Sequence, residues 1–223
     1  MCIMLPSCVP ATGFDESGAV LRSDDLEPFY EHPRVLGLAE MMNYPCVLAD
    51  DSEVLAKIAA AKKRRLKVNG HAPLLSGKNL DKYIAAGISD DHECSSFDEA
   101  RERIRKGQWV MIREGTSARN LDGLINLFDE PYAHRCILVT DDKHPADLLQ
   151  NGHIDSIIRK AVQQGKSALL RRAVYDMGAD NAIEPFMSMA FMSQPVIPNL
   201  KMTTKGLINV NKQELVSLFT EDK

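Results

Sequence analysis

Glu40, His71, His92 and Asp141 are of metal-ligating or proton-transferring type, and each closes a short apolar run. Arg113 closes a fifth run, and the five positions follow one another at intervals of 31, 21, 21 and 28 residues. Imidazole and carboxylate together suit Zn, Mn or Fe. A single histidine beside a strand end is usually a hydrogen-bonded structural residue. Two histidines and two carboxylates at repeated strand ends are harder to explain that way. An unpaired carboxylate taken out of water costs several kcal/mol, and a metal ion is one of the few partners that compensates. The chemistry such a set could perform is hydrolysis by an activated water.

The elements that must position these residues are legible as apolar runs of Val, Ile, Leu and Cys. They are Cys2 to Leu5, Val35 to Glu40, Leu66 to His71, Gly87 to His92, Trp109 to Arg113 and Arg135 to Thr140. Short continuous apolar runs fit strands buried on both faces. Helical patterns fall between them. Glu53 to Lys63 places Val54, Leu55, Ile58 and Ala59 on one face, and Leu80 to Ala86 ends at Gly87. Ser96 to Lys106 opens with a capping-box pattern, Ser96-Phe97-Asp98-Glu99, and stops at Gly107. Asn120 to Phe128 and His153 to Gln164 follow. Strict alternation of strand and helix predicts a parallel sheet with helical crossovers. In a (β/α)-barrel the carboxyl ends of the strands gather at one mouth, so the five polar side chains would converge there; a doubly wound sheet would spread them along a line.

After Gln164 the pattern changes. Lys166 to Met177 reads as a basic, apolar helix, Pro185 to Met192 is a Met- and Phe-rich stretch suited to packing, and a last helix lies near Lys212 to Phe219. The expected organisation is a barrel portion over 1–165 and a separate C-terminal element over 166–223.

Bulk properties exclude some classes. The 223 residues are 44% apolar, enough for a real core, and 27 basic against 31 acidic side chains give a formal charge of −4. That balance offers no footprint for nucleic acid or an anionic membrane. The run Lys62-Lys63-Arg64-Arg65 reads as a solvated helix end. Five cysteines without zinc or redox spacing suggest free thiols in a reducing cytoplasm. No leader and no membrane span is expected.

The local sequences sharpen this. Gly37-Leu38-Ala39-Glu40-Met41-Met42-Asn43, Asn69-Gly70-His71-Ala72-Pro73, Ser89-Asp90-Asp91-His92-Glu93-Cys94 and Thr140-Asp141-Asp142 resemble the adenine deaminase branch of the amidohydrolase superfamily. Pro6 to Thr12, Ile112 to Gly115, Gly152 to Asp155 and the tail from Glu184 to Leu207 fit the same family, and the motifs occur in order. The resemblance implies an α/β fold: a partial (β/α)8 metal-dependent hydrolase barrel of about six units, followed by a short α+β remnant of the family's C-terminal domain. It implies a two-metal site with manganese or iron. Glu40 would bridge the metals, His71 and His92 would be ligands of one, and Asp141 would be a ligand and the general base. Adenine would be the substrate, deaminated to hypoxanthine and ammonia in purine salvage.

Other roles stay open. Asp142 would hydrogen-bond a purine nitrogen or cap the next helix. Arg113 and Glu114 would hold substrate or form an ion pair that stiffens their loop. Glu93 would orient a ligand or contact substrate, and His153 fits a structural role at a helix start. A homo-oligomer is compatible with all of this.

One feature departs from the family. It draws two further ligands from a His-x-His pair on the first barrel strand, and no such pair occurs among the six histidines. The expectation is a chain that begins at the third barrel strand and has a second gap near Gln163 to Asp180. It would be either an inactive remnant or a chain that needs a complementing N-terminal segment.

Overall fold

The computed structural model describes residues 2–129 and 131–166, so the expected helices at Lys166 to Met177 and Lys212 to Phe219 and the Met/Phe stretch lie outside the described residues. Strands β1 (Ile3–Leu5), β2 (Val35–Met41), β3 (Lys67–Gly70), β4 (Asp90–Asp91), β5 (Trp109–Arg113) and β6 (Cys136–Val139) appear where the apolar runs predict them. The helices are α1 (Ser23–Leu26), α2 (Tyr44–Leu48), α3 (Ser52–Lys63), α4 (Gly77–Ala86), α5 (Phe97–Arg105), α6 (Leu121–Leu124), α7 (Pro145–Asn151) and α8 (Ile154–Gln163). The fold is mixed α/β with parallel strands.

The chain divides into two compact units, Met1–Met111 and the part from Ile112 onward. In the first, β1, β2 and β3 lie side by side in that order. Leu5 stands opposite Leu38 and Met41 opposite Gly70. The amide of Ser89 then donates to the Val68 carbonyl at 3.0 Å, and Asp90 and Asp91 pair with Trp109 and Val110. Glu40, His71 and His92 therefore stand at successive strand ends of one unit. Its core joins Leu38, Met41, Ile58, Val68, Leu80 and Tyr83, all nearly or fully buried.

Local chemistry accounts for the elements. Asp51 caps α3 by accepting from the Val54 amide at 2.9 Å, and α4 ends at Gly87, whose φ of 121° suits glycine alone. Three expectations need correction. The buried face of α3 is Val54, Lys57, Ile58 and Ala61, whereas Ala59 is exposed. The face turns because the Lys57 ammonium is buried and donates to the carbonyls of Ser7 and Leu21, which ties the long segment after β1 to the helix. The capping box of α5 is half made: Ser96 Oγ accepts from the Glu99 amide at 3.4 Å, but the Glu99 carboxylate turns to the amides of Leu74 and Ser95. The basic run at the end of α3 is also less free than expected. Arg64 pairs with Glu27 at 2.7 Å and Glu31 at 2.6 Å and lies over the Tyr30 ring.

In the second unit, the segment expected as one helix over Asn120 to Phe128 is α6 followed by a turn of 3-10 helix over Ile125–Phe128. Leu121, Leu124, Leu127, Leu138 and Ile157 are buried there. The Glu114 amide donates to the Val139 carbonyl at 3.1 Å, which brings the end of β5 beside β6. No helix among the described residues is long and apolar enough to cross a membrane.

Candidate metal centre

Glu40 is the sixth residue of β2, and its carboxylate faces two imidazoles. His71 Nδ1 lies 2.6 Å from Glu40 Oε2, and His92 Nε2 lies 3.2 Å from the same oxygen. The two rings meet edge to face, with centroids 5.1 Å apart. One ligating atom from each of Glu40, His71 and His92 lies within 4.8 Å of the other two, a spacing that one metal ion could span. The donor set of one carboxylate and two imidazoles fits Zn, Mn or Fe. Hydrogen bonds from His71 and then His92 hold the Glu40 carboxyl well below the usual carboxylate range, against the opposing effect of burial.

Glu93 joins the group. Its Oε1 lies 3.5 Å from His71 Nδ1 and 3.4 Å from His92 Nε2, and its side chain is 12% exposed. A second carboxylate thus faces both histidines.

The scaffold beneath was not legible as chemistry. Tyr83, fully buried on α4, donates to the Met41 carbonyl at 2.7 Å and accepts from the His71 amide at 3.1 Å. Burial pushes its hydroxyl far above the usual phenol range. Two consecutive aspartates flank His71 from β4: Asp90 accepts from the Gly70 amide at 3.1 Å, and Asp91 from the Ala72 amide at 2.9 Å. Burial raises the Asp90 carboxyl, and hydrogen bonds from Asn69, Ser89 and Gly70 oppose it. The one sequence signal for these residues is a pair of acids inside a strand, where carboxylates are rare unless partnered.

The other candidates lie in the second unit. Asp141 has a φ of 52°, a left-handed conformation uncommon outside glycine, and its Oδ2 lies 3.5 Å from Arg113 Nη1. Asp142 accepts from the backbone amides of Thr116, Ser117 and Ala118 at 3.1, 2.9 and 3.4 Å. The helix that follows is capped by His144, whose Nδ1 accepts from the Ala146 amide at 3.3 Å, so Asp142 is not that cap. Glu114, buried, meets Lys160 at 2.8 Å and accepts from the Leu121 amide at 3.3 Å. His153 stands at the start of α8, as the sequence suggests, without a side-chain cap bond.

Comparison with known proteins places these residues in context. A family model for the adenine deaminase C-terminal domain matches residues 155–214. The chain is 49% identical over 161 residues to an adenine deaminase of Desulfatibacillum aliphaticivorans, covering 72% of this chain and 28% of that protein. It is 47% identical over 184 residues to an adenine deaminase of Cereibacter sphaeroides, covering 82% and 32%. It is 45% identical over 188 residues to adenine deaminase 2 of Carboxydothermus hydrogenoformans, covering 79% and 33%. The chain thus spans about a third of the length of the curated relatives it matches.

Proposed function

We propose that this chain, a homologue of the adenine deaminases over most of its own length, carries the Glu-His-His part of a metal-dependent deaminase site for adenine. The observation that carries the reading is the Glu40 carboxylate set against both imidazoles at successive strand ends. Glu40 is assigned as the bridging carboxylate, His71 and His92 as ligands of one metal, and Asp141 as a ligand and general base. Manganese or iron would fill the site, and a divalent metal held there would acidify a water and so supply a nucleophile near neutral pH. Asp141 would take the water proton and return it to the departing ammonia. Glu93, beside both histidines, would orient them or meet the purine, and Arg113, Glu114 and Asp142 are proposed to line the substrate side. The fold consistent with this is part of a (β/α)8 barrel, with residues 166–223 as a remnant of the C-terminal domain.

A second reading has its own support. Glu40, His71 and His92 are fewer donors than two metals take, and the chain has no His-x-His pair to add to them. On that reading the chain works only with a complementing segment, or not at all. Manganese titration of the purified chain, followed by an assay for ammonia release from adenine, separates the two. Binding with turnover supports the complete deaminase, and binding without turnover supports complementation. No binding to the wild-type chain, or binding that is unchanged on replacing Glu40, would remove the metal reading.

A further inference from the structure

Three side chains on β4 and α5 bond to both histidine segments. Asp91 is fully buried. Its Oδ2 accepts from the Ala72 amide at 2.9 Å and its Oδ1 from the Glu93 amide at 2.8 Å. One carboxylate thus grips the residue immediately after each histidine. Arg103, also fully buried, reaches the same two segments from α5. Its guanidinium donates to the carbonyls of Ala72 and Leu75 on one side and to Cys94 Sγ at 3.1 Å on the other, and Nε lies 3.7 Å from Asp91. Glu99, one turn earlier on α5, repeats the pattern. It accepts from the Leu74 amide at 2.9 Å and the Ser95 amide at 3.1 Å, and it lies 3.3 Å from Arg103.

We propose that Asp91, Arg103 and Glu99 form a clamp of positioning residues that fixes the spacing of His71 and His92 and so sets how tightly the site holds its metal. The proposal rests on the reading of Glu40, His71 and His92 as metal ligands. A buried ion pair is a poor device for stability alone, because apolar side chains of the same volume often serve as well or better. What an apolar replacement cannot do is bond to backbone on both segments at once. Asp91 and Glu99 do so, while Arg103 bonds to backbone beside His71 and to the Cys94 thiol beside His92, and all these bonds fall within four residues of a histidine. Groups that hold metal ligands from behind commonly change metal affinity by about 10- to 100-fold when replaced.

The test uses the full chain and cobalt(II) as a spectroscopic probe. Glu99→Gln, at the rim of the clamp, and Asp91→Asn, at its centre, are each expected to bind cobalt about 10- to 100-fold more weakly than wild type. The visible spectrum of the bound ion should also change as the imidazoles shift. In the metal-free protein, hydrogen exchange should rise in segments 71–75 and 92–95 and stay level elsewhere. Asp91→Glu, which restores the charge, should recover part of the affinity. If Asp91→Asn does not fold, Glu99→Gln decides. A folded Glu99→Gln with wild-type affinity and spectrum overturns the clamp, and so does an exchange increase spread evenly over the chain. If wild type binds no cobalt, the ligand reading fails by itself, and the exchange pattern still distinguishes a local clamp from general packing.

Discussion

Nδ1 of His71 lies 2.6 Å from Oε2 of Glu40, although one residue is on β2, the other directly follows β3, and they are 31 positions apart. That contact keeps a partly exposed carboxylate ionised and pointed at both imidazoles. It predicts the effect of Glu40→Gln. The amide keeps the shape but offers one neutral oxygen where the carboxylate offers two charged ones. Manganese affinity should fall by more than the roughly 100-fold upper range seen for groups behind the ligands. Titration monitored by calorimetry measures it, and unchanged affinity would remove Glu40 from the ligand set.

How much of this could be read beforehand differs by residue. Glu40, His71 and His92 were legible because each ends an apolar run, and the strands appeared near their expected bounds except β4, which is Asp90–Asp91 where the run suggested Gly87 to His92. Lys57, Asp91 and Arg103 were not, because charged side chains are assigned to solvent unless a partner is known. Their partners are backbone groups on other elements, which no periodicity reveals. The Glu99 carboxylate illustrates the same limit: the local pattern assigns it to the Ser96 cap, and a tertiary contact with the Leu74 amide, with Arg103 one turn on in the same helix, draws it away.

Tyr83→Phe should weaken both the fold and the site. The phenol joins the Met41 carbonyl to the His71 amide, and so ties the ends of the strands that carry Glu40 and His71. Removing the hydroxyl leaves buried backbone groups short of a partner, at about 1–3 kcal/mol. Urea unfolding should show that loss, and metal affinity should fall about tenfold in the same variant. A variant with full stability and full affinity would show the hydroxyl to be idle.

Cys136 should resist alkylation at alkaline pH in the folded protein. Burial pushes its thiol up to about 12, and its sulfur approaches the carbonyls of Leu127 and Tyr132 at 3.7 and 3.5 Å. The thiolate is the reacting species, and an ordinary cysteine with a pKa near 8.5 is about half ionised at pH 8.5. At that pH Cys136 should carry well under about one part in a hundred as thiolate. Because its pKa is raised, reactivity should appear only as pH approaches 12 or as the protein unfolds. Peptide mass spectrometry after iodoacetamide treatment, with and without urea, checks this. Equal labelling in both conditions would contradict the burial.

Gly70→Ala tests whether the strand bearing His71 tolerates any side chain just before it. An added Cβ would run into the carbonyl oxygen of Asp90 and lie 2.8 Å from Ile88 Cγ2. Because the first obstacle is backbone, β3 and β4 would have to separate. Overpacking of this kind costs about 1–3 kcal/mol. The movement would also loosen the Asp90 bond to the Gly70 amide, which sits directly ahead of His71. Both the urea midpoint and the cobalt affinity should therefore fall. Loss of stability with intact affinity would mean that His71 keeps its place without the close approach of the two strands, and that the bonds from Asp91 and Tyr83 suffice to hold it.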